Sequence, residues 1–151
     1  MNSNLDNNLK VFMYNDKNII TNLNFTFERN KIKYNKNILI IMNKEMELNI
    51  SNKDNSQYFI DITYYATPHN NKNYKLFVIL AFNYKEYKTI ICNISIITNE
   101  NTETIITIIE YLRDKYNWQS NRMAFDFSLA ELKAFKLIFP NVIIIPCFSI
   151  F

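Results

Sequence analysis

The sequence contains no glycine, although a chain of 151 residues would ordinarily contain roughly ten. Glycine is the residue that adopts positive φ angles without strain, so any turn that needs this conformation must use another residue, most readily asparagine or aspartate. The absence also excludes glycine-rich phosphate loops and glycine-rich dinucleotide-binding turns, and no nucleophile elbow is present. Nucleotide hydrolysis, serine hydrolysis and dinucleotide binding therefore have no support in the sequence.

Cysteine and histidine are also scarce. The two cysteines, Cys92 and Cys147, are too few for a disulfide scaffold, and no paired Cys-x-x-Cys motif indicates zinc. His69, the only histidine, lies in a polar segment and is expected to be a solvated loop residue. No signal peptide and no apolar run long enough for a membrane span occur in the chain. We therefore expect an intracellular protein with no membrane partner.

Length and charge set further bounds. With 151 residues and 48% hydrophobic content, the chain should form one domain with a substantial core. Its formal net charge of +3 gives only mild attraction to a polyanion, and no lysine or arginine run marks a nucleic-acid surface. The strip Tyr84-Lys-Glu-Tyr-Lys88 could contact DNA, but we expect it to be a solvated turn, and we expect Trp118 to be a core or rim anchor.

Periodicity predicts an alternation of strands and helices. Asn101 or Thr102 can cap a helix whose isoleucines recur at helical spacing, and Ser128 with Glu131 forms a capping box for a second helix that ends at Pro140. The last strand is wholly apolar, as expected in the middle of a parallel sheet. The predicted strands cover residues 19–27, 38–42, 58–65, 74–82, 87–97, 123–126 and 142–145.

Two aspartates lie within apolar runs that predict buried strands. An unpaired carboxylate in such a place costs several kcal/mol, so Asp61 and Asp126 need compensation by charge or hydrogen bonds. A right-handed crossover would pair their strands in parallel and bring the carboxyl oxygens to about 4–6 Å, which suggests a metal site. Alternatively, Asp61 hydrogen-bonds to a nearby turn and Asp126 caps the following helix.

The segments around these aspartates resemble a known family. The relevant stretches are Phe59-Ile-Asp-Ile-Thr-Tyr64, Phe125-Asp-Phe-Ser128, Ala130, Ala134, Phe139-Pro140 and Cys147-Phe-Ser-Ile150, and residues 38–48 are similar to the strand and short helix that precede the first aspartate of the family. In order and spacing they resemble the MULE (Mutator-like) transposase domain, a DDE-type member of the ribonuclease H-like superfamily. The resemblance covers roughly two thirds of the chain.

The resemblance implies an α/β fold with a ribonuclease H-like core, in which three antiparallel strands precede a helix, a strand, a helix and a strand in a mixed sheet. It divides the chain into an N-terminal extension, residues 1–37, with one or two strands, and a partial, C-terminally truncated transposase-like domain, residues 38–151. It also implies a mobile-element origin, DNA as partner, a nuclear location, and Asp61 and Asp126 as catalytic ligands of Mg²⁺.

Several departures from the family predict lost activity. Ile62 replaces the family glycine, Ser128 the glutamate after Asp-Phe, and Ile150 the histidine of Cys-x-x-His, which leaves Cys147 as a small buried apolar residue. The third acid of the family would lie beyond residue 151. We therefore expect weak or no binding of Mg²⁺ and no DNA cleavage.

Two alternative functions remain open at this point. One is a non-catalytic domain that binds DNA or protein with the same fold. The other is an active metal-dependent nuclease whose third acid is Glu100, Glu103, Glu110 or Glu131. The apolar stretch at residues 143–151 further predicts an exposed patch and self-association, unless residues 19–27 cover it.

Overall fold

A computed structural model describes residues 18–64, 74–98, 101–125 and 128–146 of the chain. This part is a mixed α/β structure with one seven-stranded sheet and three helices. The strands are β1 (Ile19–Arg29), β2 (Ile32–Met42), β3 (Asn55–Tyr64), β4 (Lys75–Asn83), β5 (Lys88–Ile97), β6 (Arg122–Phe125) and β7 (Ile143–Pro146). The helices are α1 (Lys44–Ile50), α2 (Thr102–Tyr116) and α3 (Leu129–Ile138).

The strands lie in the order β1-β2-β5-β4-β3-β6-β7. β3, β4 and β5 are antiparallel neighbours, as their short connections predict, whereas β6 pairs with β3 in parallel and β7 pairs with β6 in parallel. The predicted parallel pairing of the strand after α2 with β3 is therefore confirmed. It follows the rule that crossovers through a helix join parallel strands.

The hairpin of β1 and β2 extends the sheet beyond β5. Leu39 of β2 pairs with Ile96 of β5, which joins the hairpin to the rest of the sheet. The described residues of the expected N-terminal extension, 18–37, therefore contribute β1 and the first half of β2 to this common sheet. Asn30 and Lys31 form the two-residue turn and both have positive φ, of 54° and 65°, as a type I′ turn requires. Residues other than glycine thus supply this conformation, as predicted.

The helices cover one face of the sheet. Both long helices begin with the predicted side-chain caps, because Asn101 Oδ1 accepts from Thr104 N–H and Ser128 Oγ accepts from Glu131 N–H. The core between helices and sheet contains alternate residues of β2, β3 and β4, the inner side of α2, and the aromatic residues around Trp118. These include Ile38, Ile40, Tyr58, Ile60, Phe77, Ile79, Ile105, Ile108, Leu112, Trp118 and Phe135.

The opposite face carries a smaller apolar cluster of Leu39, Ile41 and Ile96, against which Tyr74 and Leu76 pack. Since successive side chains of a strand point to opposite faces, the sheet is apolar on both sides near β2 and β5. Cys92 lies at a register shift between β4 and β5, where Ile79 pairs with Asn93 and Leu80 with Ile91.

β7 lies at the edge of the sheet that the described residues form, so its expected place in the middle of a parallel sheet is wrong for this part of the chain. Its apolar sequence suggested burial on both faces, yet Ile143 is 56% exposed. β1 forms the opposite edge of the sheet, so it does not cover β7 in the way considered for residues 19–27.

Candidate functional site

Asp61 lies in the carboxyl-terminal half of β3, and its backbone pairs with Val78 of β4. Its side chain is exposed, so the prediction of a buried aspartate is wrong. Strand alternation is the reason, because Tyr58 and Ile60 face the helices while Asp61 and Thr63 face the other side of the sheet. An exposed position removes the desolvation cost of the carboxylate and leaves it accessible to an ion.

Asp126 lies outside the described residues, and its predicted approach to Asp61 stays a prediction. The neighbouring backbone is described, with Tyr58 paired to Met123 and Phe59 to Ala124. The alternative in which Asp126 caps the following helix is wrong, because Ser128 is the N-cap of α3.

The acids considered as a third ligand lie in different environments. Glu103, in the first turn of α2, has both carboxylate oxygens in contact with Arg29 Nη2. Glu131 is 4% exposed and lies in the first turn of α3 on the helix side of the sheet, opposite the face to which Asp61 points. Glu110 is exposed on α2, and Glu100 lies outside the described residues.

The described residues offer few ligands for a metal ion. No group of three histidine, cysteine, aspartate or glutamate side chains lies close enough to hold an ion within this part of the chain. Mg²⁺ requires octahedral oxygen coordination and usually takes at least one or two carboxylates together with water, so Asp61 alone is a poor site. The fit of a metal therefore depends on Asp126. His69 and Cys147 also lie outside the described residues.

Trp118 is fully buried and acts as a core anchor, as predicted. Its ring lies edge-on to Tyr58, Phe135 and Phe139, with centroid distances of 5.4, 6.1 and 5.4 Å. Tyr58 in turn donates a hydrogen bond to the Ile50 carbonyl, and burial raises the pKa of this tyrosine. These contacts join α1, β3 and α3 below the amino-terminal end of β3.

Sequence reasoning missed a pair of cavities at this end of β3. The larger, of about 300 Å³, is lined by amide side chains and by Lys53 and Arg122, and the smaller, of about 150 Å³, is lined by Phe59, Phe82 and Tyr84. Ser56 and Arg122 belong to both. The lining residues come from strands and connections that are far apart in the sequence, so no local sequence motif could have predicted these cavities.

A search against protein-family models finds no match, and a search of curated proteins finds no significant match. In the part of the chain that the structure describes, no helix is long and apolar enough to cross a membrane.

Proposed function

We propose that this chain is a ribonuclease H-like domain derived from a MULE-type DDE transposase, in which Asp61 and Asp126 are the first two acids of an ancestral Mg²⁺ site. We propose further that the domain no longer cleaves DNA. The shared ancestry would explain the similarity of residues 59–64 and 125–128 to the family's two aspartate motifs.

The strand order carries the proposal. A ribonuclease H-like core has three antiparallel strands, of which the first lies beside two parallel strands reached through helices. The order β5-β4-β3-β6-β7 has this arrangement, with β3 in the centre and Asp61 on it. The second aspartate follows β6 directly in the sequence. Right-handed crossovers allow only a few such strand orders. The two aspartate motifs support the same assignment independently of the strand order.

The environment of the remaining acids supports the loss of cleavage. Phosphodiester cleavage by this class uses two metal ions about 4 Å apart, and a third acid normally completes one of the two sites. Glu103 is bound by Arg29, and Glu131 lies on the other side of the sheet from Asp61. Neither is placed to join Asp61 without a rearrangement, so the catalytic set would remain incomplete.

Metal titration tests the site. Titration calorimetry with Mg²⁺ and Mn²⁺ should detect weak binding that Asp61→Asn removes. Asp54→Asn is the matched control, since Asp54 is a partly exposed carboxylate at the other end of β3, near Lys85. Binding that survives Asp61→Asn would refute the assignment of Asp61 to the metal site.

Plasmid nicking tests the loss of activity. The purified protein should leave supercoiled DNA intact with either metal. Metal-dependent nicking that Asp61→Ala abolishes would instead favour the active nuclease, with Glu100 as the acid to examine next, since Glu110 belongs to α2 on the helix side of the sheet. The non-catalytic binding domain is distinguished by DNA binding that persists in EDTA and weakens with salt.

A further inference from the structure

The two cavities at the amino-terminal end of β3 adjoin at Ser56 and Arg122, and we call them together the Arg122 surface. It consists of the amide-lined cavity with Asn55 and Lys53, the aromatic cavity with Phe59 and Tyr84, and Arg122 between them. Its residues on β3 run from Asn55 to Phe59, which lies two residues from Asp61 on the same face of the sheet, or roughly 7 Å at the rise of a strand. The surface shares no residue with the proposed metal site.

The side chain of Asn55 forms the floor of the amide-lined cavity. Asn55 donates to the Asn49 carbonyl and to the Tyr58 hydroxyl at 2.7 and 3.1 Å, and its Oδ1 is buried and accepts no hydrogen bond among the described residues. Because this oxygen is closed to solvent, contacts with a ligand fall to the other amides that line the cavity. The amides of Asn52, Asn117 and Gln119 nearby can both donate and accept.

The positive charges at the surface are available to an anion. Lys53 and Arg122 are both exposed, and neither forms an ion pair with another described residue. By contrast, Lys85 and Lys88 in the nearby turn lie 3.7 and 3.0 Å from acidic partners. Arg122 borders both cavities, where its planar guanidinium suits a phosphate group.

Aromatic side chains stand at the rim of the smaller cavity. Tyr84 and Tyr87 are 67% and 78% exposed, and Phe82 supports both rings edge-on at 5.3 and 5.5 Å. Tyr87 adopts φ of 55°, a conformation that is unfavourable for a bulky residue. The turn therefore holds the exposed ring of Tyr84 at the cavity, beside Arg122, and the exposed ring of Tyr87 on the other contact of Phe82. Proteins that bind single-stranded nucleic acids combine exposed aromatic rings and cationic side chains in this way.

We infer that the Arg122 surface binds single-stranded nucleic acid, with a base against Tyr84 and the adjoining phosphate at Arg122. The aromatic cavity is too small for a base pair but suits the edge of one base. The sugar and the next phosphate then face the amide-lined cavity, where Lys53 supplies the second positive charge. Tyr87 offers a stacking surface for the neighbouring base.

Fluorescence anisotropy with labelled 15-nucleotide strands tests this inference. Measurements in EDTA with dT15, U15 and a duplex of equal length exclude any contribution from a metal site. Both single strands should bind more tightly than the duplex, and the tighter of the two identifies DNA or RNA as the natural strand. Binding that persists in EDTA separates this surface from the proposed metal site.

Variants of the surface give the decisive comparison. Tyr84→Ala should weaken binding about 5- to 100-fold, whereas Tyr84→Phe should retain it, because stacking needs the ring and not the hydroxyl. Arg122→Gln should weaken binding and lower the slope against log salt by about one. Tyr34→Ala and Lys33→Gln, on the distant hairpin, are the matched controls. Absent binding, equal binding of the duplex, or affinity unaffected by both surface substitutions would overturn the inference.

Discussion

Arg29, at the end of β1, places guanidinium Nη2 at 2.6 and 2.8 Å from the two carboxylate oxygens of Glu103 in the first turn of α2. The contact joins the edge hairpin to the helix layer. Tyr111 adds a second link, since its hydroxyl lies 3.1 Å from Thr21 Oγ1. The hairpin is therefore tied to α2 at two points as well as to β5 through the sheet.

Removal of the Arg29–Glu103 pair should have a small effect on stability. The two side chains are 52% and 29% exposed, so solvent screens the attraction and the coupling energy should be about 0.2–1 kcal/mol. A double-mutant cycle with Arg29→Gln and Glu103→Gln, followed by urea unfolding, measures it. The coupling should decrease at high salt, and a value above about 2 kcal/mol would contradict this assignment of the pair as a screened surface contact.

Trp118 should be among the most sensitive residues of the core. Trp118→Ala removes the ring that contacts Tyr58, Phe135 and Phe139, and should lower the free energy of unfolding by about 3–5 kcal/mol. Trp118→Phe should cost less than half as much. It keeps an aromatic ring and removes the indole N–H, which is buried without a hydrogen-bond partner among the described residues. Urea denaturation of both variants measures the difference, and equal losses would contradict the expectation.

Cys92 should make the protein sensitive to alkaline pH. Burial raises the pKa of its thiol from 9.0 to about 12. Because the folded state holds the proton more tightly, the free energy of unfolding is unaffected below about pH 9 and falls as the pH rises toward 12. At about pH 10.5 the loss should be about 2 kcal/mol. Urea unfolding between pH 8 and 10.5 measures this loss of stability. The protein should carry Cys147→Ser, so that Cys92 is its only thiol.

The matched control for this pH dependence is the same protein with Cys92→Ala. Burial also raises the pKa of Tyr116 to about 12, so tyrosines contribute to the alkaline loss in both proteins. The difference between the two slopes isolates Cys92. Identical slopes would show that the thiol is not protected from ionisation by its place between β4 and β5.

The sequence predicted the elements and their pairing better than it predicted exposure. Side-chain caps at Asn101 and Ser128 and the short turns are local signals, so they located the helices and the antiparallel strands. Burial of Asp61 and the central place of β7 were wrong, because an apolar run does not reveal which face of a sheet is covered. The Arg122 surface could not be predicted, since distant segments assemble it.

The edge strand β7 should promote self-association. Ile143 is 56% exposed on a strand that pairs only with β6 within the described sheet, and an exposed apolar edge is a template for pairing with another chain. We expect concentration-dependent association in sedimentation velocity, reduced by Ile143→Lys because a charged edge residue opposes pairing. Leu48→Lys is the matched control, since Leu48 is 64% exposed on α1. A wild-type protein that remains monomeric at high concentration, or equal effects of the two substitutions, would show that β7 is not the contact.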